Sequence, residues 1–496
     1  MATPAKKLSI LMPKESTPTV PSVSEGKPKG YLWLRYLIPI AVGLAIWFSP
    51  APAGVSAKGW QLLAIFVGTI VGIISQPLPM GAVAITGIAL CAVTGTLSLG
   101  DALSGFADGT IWLIVAAFMF ARGFIKTGLG SRIAYLFIAA FGKRSLGLGY
   151  SLAATDLVLS PAMPSNTARA GGVVYPILRS IASAYGSEPD DGTARKLGAF
   201  LVKNSFQATI ITSAMFMTAM AANPLVVKLA GEQGLNLTWG SWALAGLVPG
   251  LVSLALVPWV LYKVYPPEIK ETPAAVKLAK DKLRELGSVK RAEWTMLGVF
   301  IVVLALWIFA PLLGNLNATT TALAGLAILL IAGVLTWDDV EKERKAWDTL
   351  VWFAALVMMA TFLGKLGVIK WFSSEMAGGV KGLDWITAHM ALLLVYFYAH
   401  YLFASMTAHI AAMYAPFLIV SIAAGTPPMF AALTLAFASS LHSSTTHYGT
   451  GPAPMYFGSG YVTMGAWWGL GLLVSVVNIV VWLVVGGLWW KMLGLW

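Results

Sequence analysis

The polar residues that could do chemistry in this sequence stand in short breaks within apolar segments. In SPAMPSNTARAGG (160–172), two prolines end one helix, and Ser165 or Asn166 can cap the next. A helix that begins at membrane depth points free N–H groups and the positive end of its dipole at the break. The side chains of Asn166 and Thr167 add donors. This pattern predicts a re-entrant hairpin whose tip binds a carboxylate; a polar surface turn is the alternative, which the apolar flanks disfavour.

A second break, FASMTAHIAA (403–412), repeats this pattern and predicts a second hairpin tip, with Ser405 and Thr407 supplying the hydroxyl groups. Each tip carries one cationic candidate two residues after its threonine, Arg169 in the first and His409 in the second. An ionisable group inside a membrane is usually functional, so charge compensation or coupling is one interpretation of both residues. The alternative for Arg169 is that it reaches the interface or pairs with an acid such as Asp156.

Two further breaks, TAMAANP (218–224) and TTHYGTGPAP (445–454), end long apolar runs. Glycine and proline at such places free backbone groups that can line a cavity. We expect Gly449 and Thr450 to contribute to the substrate site. The expected helix-breaking residues are Asn223, Pro224, Gly451 and Pro452.

The histidines, at positions 389, 400, 409, 442 and 447, all lie in the second half of the chain. His442 and His447 are five residues apart and do not share one helix face. Because no cysteine or acidic cluster joins them, no metal centre is predicted, and proton handling or charge compensation by His409 or His447 is favoured instead. No short motif pairs a nucleophile with a histidine and an acid, so no catalytic residue is assigned and an enzyme is not expected.

The composition places these breaks in a lipid bilayer. Of the 496 residues, 58% are hydrophobic and 11% are charged, whereas soluble domains carry roughly 25% charged residues. The mean hydropathy is +0.77. These values exclude a soluble enzyme, a disordered chain and a nucleic-acid-binding domain. The net charge of +12 is therefore interpreted as orientation and lipid contact.

The apolar segments predict an all-α polytopic membrane protein with about 11 transmembrane helices. In the first half, an irregular stretch at 132–186 accompanies spans near 31–48, 59–76, 80–97, 110–127, 197–222 and 241–262. In the second half, an irregular stretch at 368–425 accompanies spans near 293–311, 318–336, 347–364, 428–448 and 463–490.

The basic residues predict how the chain is oriented. The linker 263–292 holds eight basic residues and the polar tail 1–30 holds five lysines, so both are expected in the cytoplasm, the tail in a disordered state. An odd number of spans after the linker then puts the C-terminus outside. The bacterial inner membrane is the expected location, with the plastid inner envelope as the alternative. The linker itself forms either an amphipathic surface helix or a solvated connector.

The two halves match each other at a nearly constant offset. Ser165 and Thr167 match Ser405 and Thr407 at an offset of 240 (405 − 165 and 407 − 167). With opposite orientations predicted for the halves, this match indicates two inverted repeats, an architecture that secondary transporters use to build a site at the repeat interface. An offset of 239 relates Thr110 to Thr349, Lys126 to Lys365 and Gly128 to Gly367.

The sequence resembles the divalent anion/sodium symporter family in three long strings, PSNTARAGG, SMTAHIAAM and THYGTGPAPMYFGSGYV. The similarity covers essentially everything after residue 30, and it is greatest to the exchanger branch of bacterial citrate/succinate and tartrate/succinate antiporters and the plastid 2-oxoglutarate/malate translocator. The resemblance implies a homodimer in which each protomer moves its substrate by an elevator mechanism. It implies that the carboxylates are held by Ser165, Asn166, Thr167, Ser405 and Thr407, with the break after the tenth helix at Gly449 and Thr450.

The same resemblance implies a division of each protomer into a scaffold and a transport domain. The scaffold is expected to comprise 31–128 and 293–366. The transport domain is expected to comprise 129–262, with its tip at 160–172, and 367–496, with its tip at 403–412. The cytoplasmic linker 263–292 separates the two halves.

The sequence departs from the symporters of that family where sodium would bind. Met406 replaces the asparagine of the second motif, and the hydroxyl four residues before each motif serine is replaced by Pro161 and Tyr401. Sodium needs several oxygen ligands, so a residual sodium site at Ser165 and Asn166 is not favoured and no cofactor is expected. The predicted function is sodium-independent antiport of di- or tricarboxylates of the 2-oxoglutarate, malate, succinate and citrate class; the alternative is a sodium- or proton-coupled dicarboxylate symporter.

Overall fold

A computed structural model describes residues 32–189, 191–314, 316–379 and 384–496. These residues form helices and no strand, with a single isolated bridge between Arg144 and Glu271. The predicted disordered tail 1–30 lies outside the described residues. The helices of the first half are α1 (Leu32–Trp47), α2 (Ala57–Ser75), α3 (Met80–Val93), α4 (Leu99–Leu103), α5 (Gly109–Thr127), α6 (Leu129–Phe141), α7 (Ser145–Leu159), α8 (Asn166–Arg169), α9 (Tyr175–Ala184), α10 (Gly198–Met215), α11 (Asn223–Gly231), α12 (Trp239–Val264) and α13 (Pro273–Leu286).

The second half runs through a comparable series, in which short helices again interrupt long ones. Its helices are α14 (Arg291–Ile308), α15 (Ala318–Ile331), α16 (Trp337–Glu341), α17 (Arg344–Lys365), α18 (Val368–Gly379), α19 (Trp385–Ala399), α20 (Met406–His409), α21 (Ala415–Ala423), α22 (Pro428–Leu441), α23 (Ala453–Gly458), α24 (Met464–Val481) and α25 (Gly487–Met492).

Eight helical segments in the described part of the chain are long and apolar enough to cross a membrane. They are α2, α5, α12, α14, α17, α19 extended to Leu402, the continuous segment Met406–Ala423, and the continuous segment Met464–Met492. The shorter apolar helices are α1, α3, α6, α7 and α15. The prediction of an all-α polytopic membrane protein is confirmed, and the total of about 11 spans stays a prediction.

The internal repeat extends to details of the backbone. Gly128 follows α5 with φ of +78°, and Gly367 follows the last turn of α17 with φ of +85°. Glycine adopts this left-handed conformation without strain, which is why it commonly ends helices. These two glycines are the pair that the sequence aligned at an offset of 239 (367 − 128), so the matching residues end matching helices.

The two hairpin tips repeat an irregular helix geometry. A π-helical segment follows α8 at Ala170–Val174, and another follows α20 at Ile410–Tyr414. The offset is 240 at both ends (410 − 170 and 414 − 174), and a proline is the second residue of the helix that comes next in each half. Such π segments are rare and often mark functional places in helices. Each tip therefore begins a continuous but irregular helical stretch, 166–184 and 406–423.

The centre of the molecule is formed by α10 and α22, which contact each other. Every residue of α10 is buried, as is every residue from Phe430 to the end of α22. A helix that is buried on all sides has a fixed position in the core. Since α10 ends at the break 218–224 and α22 ends just before the break 445–454, this central pair positions both breaks.

The linker forms an amphipathic helix, one of the two alternatives for it. Ala275, Val276 and Ala279 are buried on one face of α13, which packs against α6. Arg132 of α6 donates to the Gly287 carbonyl at 2.9 Å, just after α13 ends. The basic linker is thus attached to the helix that leads into the first hairpin.

Candidate functional site

The first hairpin tip is a capped helix start in the protein interior. Ser165 is the N-cap of α8, and its Oγ accepts a hydrogen bond from the Ala168 N–H at 3.1 Å. Ser165 and Asn166 are buried, while Thr167 is half-buried. The cap satisfies one of the N–H groups that have no partner within the helix, and the others in the first turn remain available to an anion.

The second tip has the same construction with a weaker cap. Ser405 is the N-cap of α20, and the Ala408 N–H lies 3.4 Å from its Oγ. Ser405 and Thr407 are half-buried, whereas Met406 is buried. The methionine therefore packs into the protein where the first tip has the amide of Asn166, so only the first tip contributes an amide side chain.

The first tip contacts the break that follows α22. Asn166 Nδ2 donates to Thr450 Oγ1 at 3.2 Å, and both side chains are buried. A Cβ atom at Gly451 would lie 2.2 Å from Thr167 Oγ1, so only glycine lets the backbone approach this closely. The structure thus brings together the predicted residues Asn166, Thr167, Thr450 and Gly451.

The second tip contacts the same break from its other side. His400, in the 3₁₀ turn just before the tip, donates from Nε2 to the Gly449 carbonyl at 2.9 Å. Tyr448 donates its hydroxyl hydrogen to the Tyr401 carbonyl at 2.8 Å. The two tips therefore meet at residues 448–451, of which Gly449 and Thr450 are buried.

Asn223 has a structural role at the break after α10. Its Nδ2 donates to the carbonyls of Ser213 and Phe216 at 2.8 and 3.0 Å, and the residue is fully buried. These bonds satisfy carbonyls that the end of α10 leaves without helical partners. Pro224 occupies the first turn of α11, where its missing N–H costs nothing. After the other break, Pro452 is the N-cap of α23, and Pro454 occupies the first turn of that helix.

Arg169 is fully buried and joins the first tip to the first break. Its Nε lies 3.2 Å from Asp156 Oδ1. Its Nη1 donates to the carbonyls of Met163 and Ala219 at 2.6 and 2.5 Å, and its Nη2 to Ser213 Oγ at 3.1 Å. The pairing with Asp156, one of the alternatives for Arg169, is confirmed. The charge of Arg169 is therefore balanced within the protein.

Sequence reasoning missed the hydroxyl groups that complete this network. Thr209 Oγ1 donates to Asp156 Oδ1 at 2.8 Å, and Thr212 donates to the other carboxylate oxygen. Together with Ser213, these residues lie on one face of α10 at spacings of three and four. The many polar residues of this fully buried helix, which also include Lys203, Asn204, Ser205 and Gln207, are a signal that could have located them.

The histidines are grouped differently from the pairing that the sequence considered. His400, His409 and His442 are fully buried and lie side by side, with ligand-type nitrogen atoms within 4.8 Å of one another. His447 is half-buried and accepts a hydrogen bond from Trp468 Nε1 at 3.1 Å. His409 therefore has two histidine neighbours that its sequence context did not indicate.

Comparison with known proteins identifies relatives over nearly the whole chain. A family model described as "Sodium:sulfate symporter transmembrane region" matches residues 31–496. The chain is 60% identical over 472 residues to the "Putative malate transporter YflS" of Bacillus subtilis (strain 168), covering 95% of this chain and 98% of that protein. It is 50% identical over 500 residues to "Dicarboxylate transporter 1, chloroplastic" of Arabidopsis thaliana, covering 100% and 89%.

More distant relatives agree with these. The "L-tartrate/succinate antiporter" of Shigella sonnei (strain Ss046) is 36% identical over 479 residues, covering 92% of this chain and 98% of that protein. Among solved structures, the Alcanivorax borkumensis YdaH transporter matches with a TM-score of 0.55 and 12% identity, covering 93% of this chain and 97% of that one. At this identity the structural match shows the fold alone.

Proposed function

The chain belongs to the sodium:sulfate symporter family, and on that premise we propose that it exchanges dicarboxylates across a membrane without sodium. It is a transport protein and not an enzyme. Its relatives are named as transporters of malate, of dicarboxylates and of tartrate and succinate. Their identities of 36–60% over nearly full length support a substrate of the same chemical class.

The observation that carries the sodium-independent mode is the position of the Arg169 guanidinium. Its Nη1 donates hydrogen bonds to the carbonyl of Met163 at the first tip and to that of Ala219 at the first break. Free carbonyl oxygens at such a junction are ligands for a hard cation. With a fixed cation bonded to them and balanced by Asp156, this junction needs no added ion. In a comparable way, the Nε2–H of His400 donates a hydrogen bond to the Gly449 carbonyl, beside the second tip.

The substrate is held by uncharged donors from both tips. The helix starts at Ser165 and Ser405 offer N–H groups, Asn166 offers an amide, and Thr167 and Thr407 offer half-buried hydroxyl groups. A dicarboxylate has one carboxylate for each tip, and each carboxylate accepts several hydrogen bonds. Because Met406 takes the place of a second amide, the first tip is expected to bind its carboxylate more tightly.

Obligatory exchange is explained by the energetic cost of the unpaired donors in the empty site. Without an anion, the donors at both tips lack the hydrogen bonds that a carboxylate would supply, and unpaired polar groups are costly once they leave water. Moving such a site across the low-dielectric barrier is unfavourable, and a bound dicarboxylate removes that cost. We propose that the residues 129–262 and 367–496 move as one transport domain in an elevator mechanism, against a scaffold of 31–128 and 293–366 in a homodimer.

Transport in reconstituted vesicles tests this function. Vesicles preloaded with malate are expected to take up labelled malate, 2-oxoglutarate or succinate at the same rate in sodium and in choline buffer. Vesicles with no internal dicarboxylate are expected to take up almost none. Strong uptake into empty vesicles driven by a sodium gradient would overturn the exchange mode, and dependence on a proton gradient would favour the symporter alternative.

The amide at the first tip can be tested against a matched asparagine. Asn166→Ala removes both the donor to the substrate and the bond to Thr450, so exchange is expected to fall by more than about tenfold, while the purified protein keeps its unfolding temperature within a few degrees. Asn317→Ala is the control, because Asn317 caps α15 far from the tips, where its loss costs about 1 kcal/mol. Equal exchange by both variants would exclude Asn166 from the site.

The cellular location is proposed on the same basis. Bacterial and chloroplast relatives both match over nearly the full chain, and we place the chain in a bacterial inner membrane, with the plastid inner envelope as the alternative. The N-terminus is proposed to be cytoplasmic and the C-terminus external. Labelling of single cysteines at the two ends from either side of intact cells tests this orientation.

A further inference from the structure

Two of the clustered histidines form a hydrogen-bonded pair with a defined tautomer. The ring centroids of His400 and His409 are 5.2 Å apart with planes only 14° apart, and their Nδ1 atoms are separated by 3.0 Å. The rings thus lie edge to edge in nearly one plane. Since His400 donates from Nε2 to the Gly449 carbonyl, its Nδ1 carries a lone pair, and this lone pair accepts the Nδ1–H of His409.

This arrangement leaves one basic nitrogen without a partner. With its hydrogen on Nδ1, His409 has a bare lone pair on Nε2, which is buried and has no hydrogen-bond partner in the part of the chain that the structure describes. The whole His409 side chain is 0% exposed. A buried acceptor of this kind is costly unless something binds to it.

Aromatic faces surround the pair. The ring of His442 stacks over both members, with centroids 3.7 Å from His400 and 4.5 Å from His409. Phe403 stacks against His409 at 4.7 Å, and Tyr396 is tilted against it at 4.6 Å. Such faces are attractive to a cation.

The titratable groups that face the pair carry no charge to balance a cation. They are Tyr396 on α19, whose hydroxyl bonds to Ser439, and His442 in the 3₁₀ turn after α22, whose two nitrogen atoms have no hydrogen-bond partner among the described residues. Tyr414, the last residue of the π segment before α21, donates its hydroxyl hydrogen to the Ala432 carbonyl. Within the described residues, no Asp, Glu, Lys or Arg side chain forms an ion pair or hydrogen bond with His400 or His409.

The ring planes favour a proton over a metal ion in this cluster. A metal is bound by lone pairs that lie in the ring planes and converge on one point. Here the plane of His442 is parallel to that of the pair within 19° and stacked above it, so its lone pairs point elsewhere. The pair of His400 and His409, in contrast, already has the geometry of a shared N–H···N bond.

We propose that the pair of His400 and His409 is a proton-binding site that takes up one proton on His409 Nε2 together with the dicarboxylate. This inference rests on the proposed function. His409 lies in the first turn of the helix that begins at Ser405, and His400 is bonded to the break beside Thr450. A buried imidazolium without an acidic partner is unfavourable, and the arriving dianion supplies the missing charge.

The coupling is reciprocal, because a proton that strengthens dicarboxylate binding is itself bound more strongly when the dicarboxylate is present. Each loaded crossing therefore carries one proton with the dianion. Exchange of one dicarboxylate for another then moves protons in both directions and leaves no net proton flux. This separates the proposal from proton-driven symport, in which uptake into empty vesicles would depend on the proton gradient.

Calorimetry of malate binding tests the site. Purified wild-type protein is titrated near neutral pH in two buffers that differ in ionisation enthalpy, which gives the number of protons taken up per malate. We expect uptake that approaches one proton in the wild type and disappears in His409→Gln. His389→Gln is the matched control, because both nitrogen atoms of that buried histidine are already bonded, to Ser421 and Thr434, and it should behave as the wild type.

Two further measurements keep the outcome decisive. His442→Phe retains the stacked ring without its nitrogen atoms and is expected to keep the proton uptake, so loss of uptake in this variant would assign the proton to His442 instead. In the wild type, the dissociation constant for malate is expected to increase as the pH is raised. The increase reaches about tenfold per pH unit in the range where one full proton is taken up with each malate. Malate binding without proton uptake would overturn this inference alone, whereas absence of malate binding would overturn the proposed function as well.

Discussion

Replacing Arg169 by alanine should expose the energetic role of its buried ion pair. The side chains of Arg169 and Asp156 are 0% and 2% exposed, so the variant leaves a carboxylate in the interior with no cation. Removing one partner of a buried pair costs about 3–5 kcal/mol, which is two to four powers of ten in the folding equilibrium. The expected result is a marked fall in the unfolding temperature of the purified protein in detergent, together with loss of exchange.

A second substitution separates the charge from the packing. Adding Asp156→Asn to Arg169→Ala removes the unpaired charge, so the double variant is expected to recover part of the lost stability. The interaction energy from this double-mutant cycle reports the coupling of the two side chains. A double variant that is less stable than Arg169→Ala alone would contradict an unpaired carboxylate as the cause of the lost stability.

Arg169→Ala is also expected to gain the ability to bind sodium. Without the guanidinium, the carbonyls of Met163 and Ala219, the hydroxyl of Ser213 and the carboxylate of Asp156 are left facing one space. Oxygen atoms of these types bind sodium or calcium. At a sodium concentration ten times the dissociation constant, binding stabilises the folded state by about 1.4 kcal/mol. Sodium chloride should therefore raise the unfolding temperature of Arg169→Ala relative to potassium chloride at equal ionic strength, and should leave the wild type unchanged. If sodium chloride changes the unfolding temperatures of both proteins equally, the Arg169 guanidinium does not take the place of a sodium ion.

Two further predictions concern the break and the scaffold. Gly451→Ala places a Cβ atom 2.2 Å from Thr167 Oγ1, and overpacking of about 1–3 kcal/mol should reduce exchange by roughly tenfold or more. Gly458→Ala is the control, because a Cβ atom there meets nothing within 4 Å, and it should leave exchange unchanged. Equal activity of the two variants would contradict the close approach of Gly451 to Thr167. Burial raises the pKa of Asp339, but hydrogen bonds, led by that from Lys126, outweigh burial and lower the pKa from 3.8 to about 2. A lowered pKa contributes stability above the unfolded value and loses it as the pH falls, so unfolding temperatures should decline between about pH 4 and pH 2, and Asp339→Asn should flatten that decline; an unchanged decline would assign it to other carboxyl groups.

Local sequence patterns were sufficient to locate the hairpin tips. Ser165 and Ser405 are good N-cap residues next to prolines or small residues, and both cap a helix in the structure. The hydrophobic pattern also predicted the long helices, and it included the linker helix α13 as one of two alternatives. These features depend on neighbours within about four residues, and such short-range preferences can be read from one sequence.

The partners of the buried polar residues could not be predicted in the same way. The pairing of Arg169 with Asp156 was one of two alternatives, and the bond between Asn166 and Thr450 joins residues 284 positions apart. The histidine cluster depends on the packing of α19, α20 and α22, which brings His442 over His400 and His409. Such contacts are set by helix packing, and one sequence without homologues gives little information about packing partners.

The π segments at Ala170–Val174 and Ile410–Tyr414 have a consequence for the origin of the protein. An irregularity that recurs 240 residues later in a divergent sequence indicates a gene duplication, in which the ancestral half already contained it. If the halves face opposite ways, as the loop charges predict, that ancestor inserted into the membrane in both directions and assembled from two antiparallel copies. After the two copies were fused, each could change its sequence independently. The equivalent positions Asn166 and Met406, one an amide and the other a methionine, are an example of such a difference.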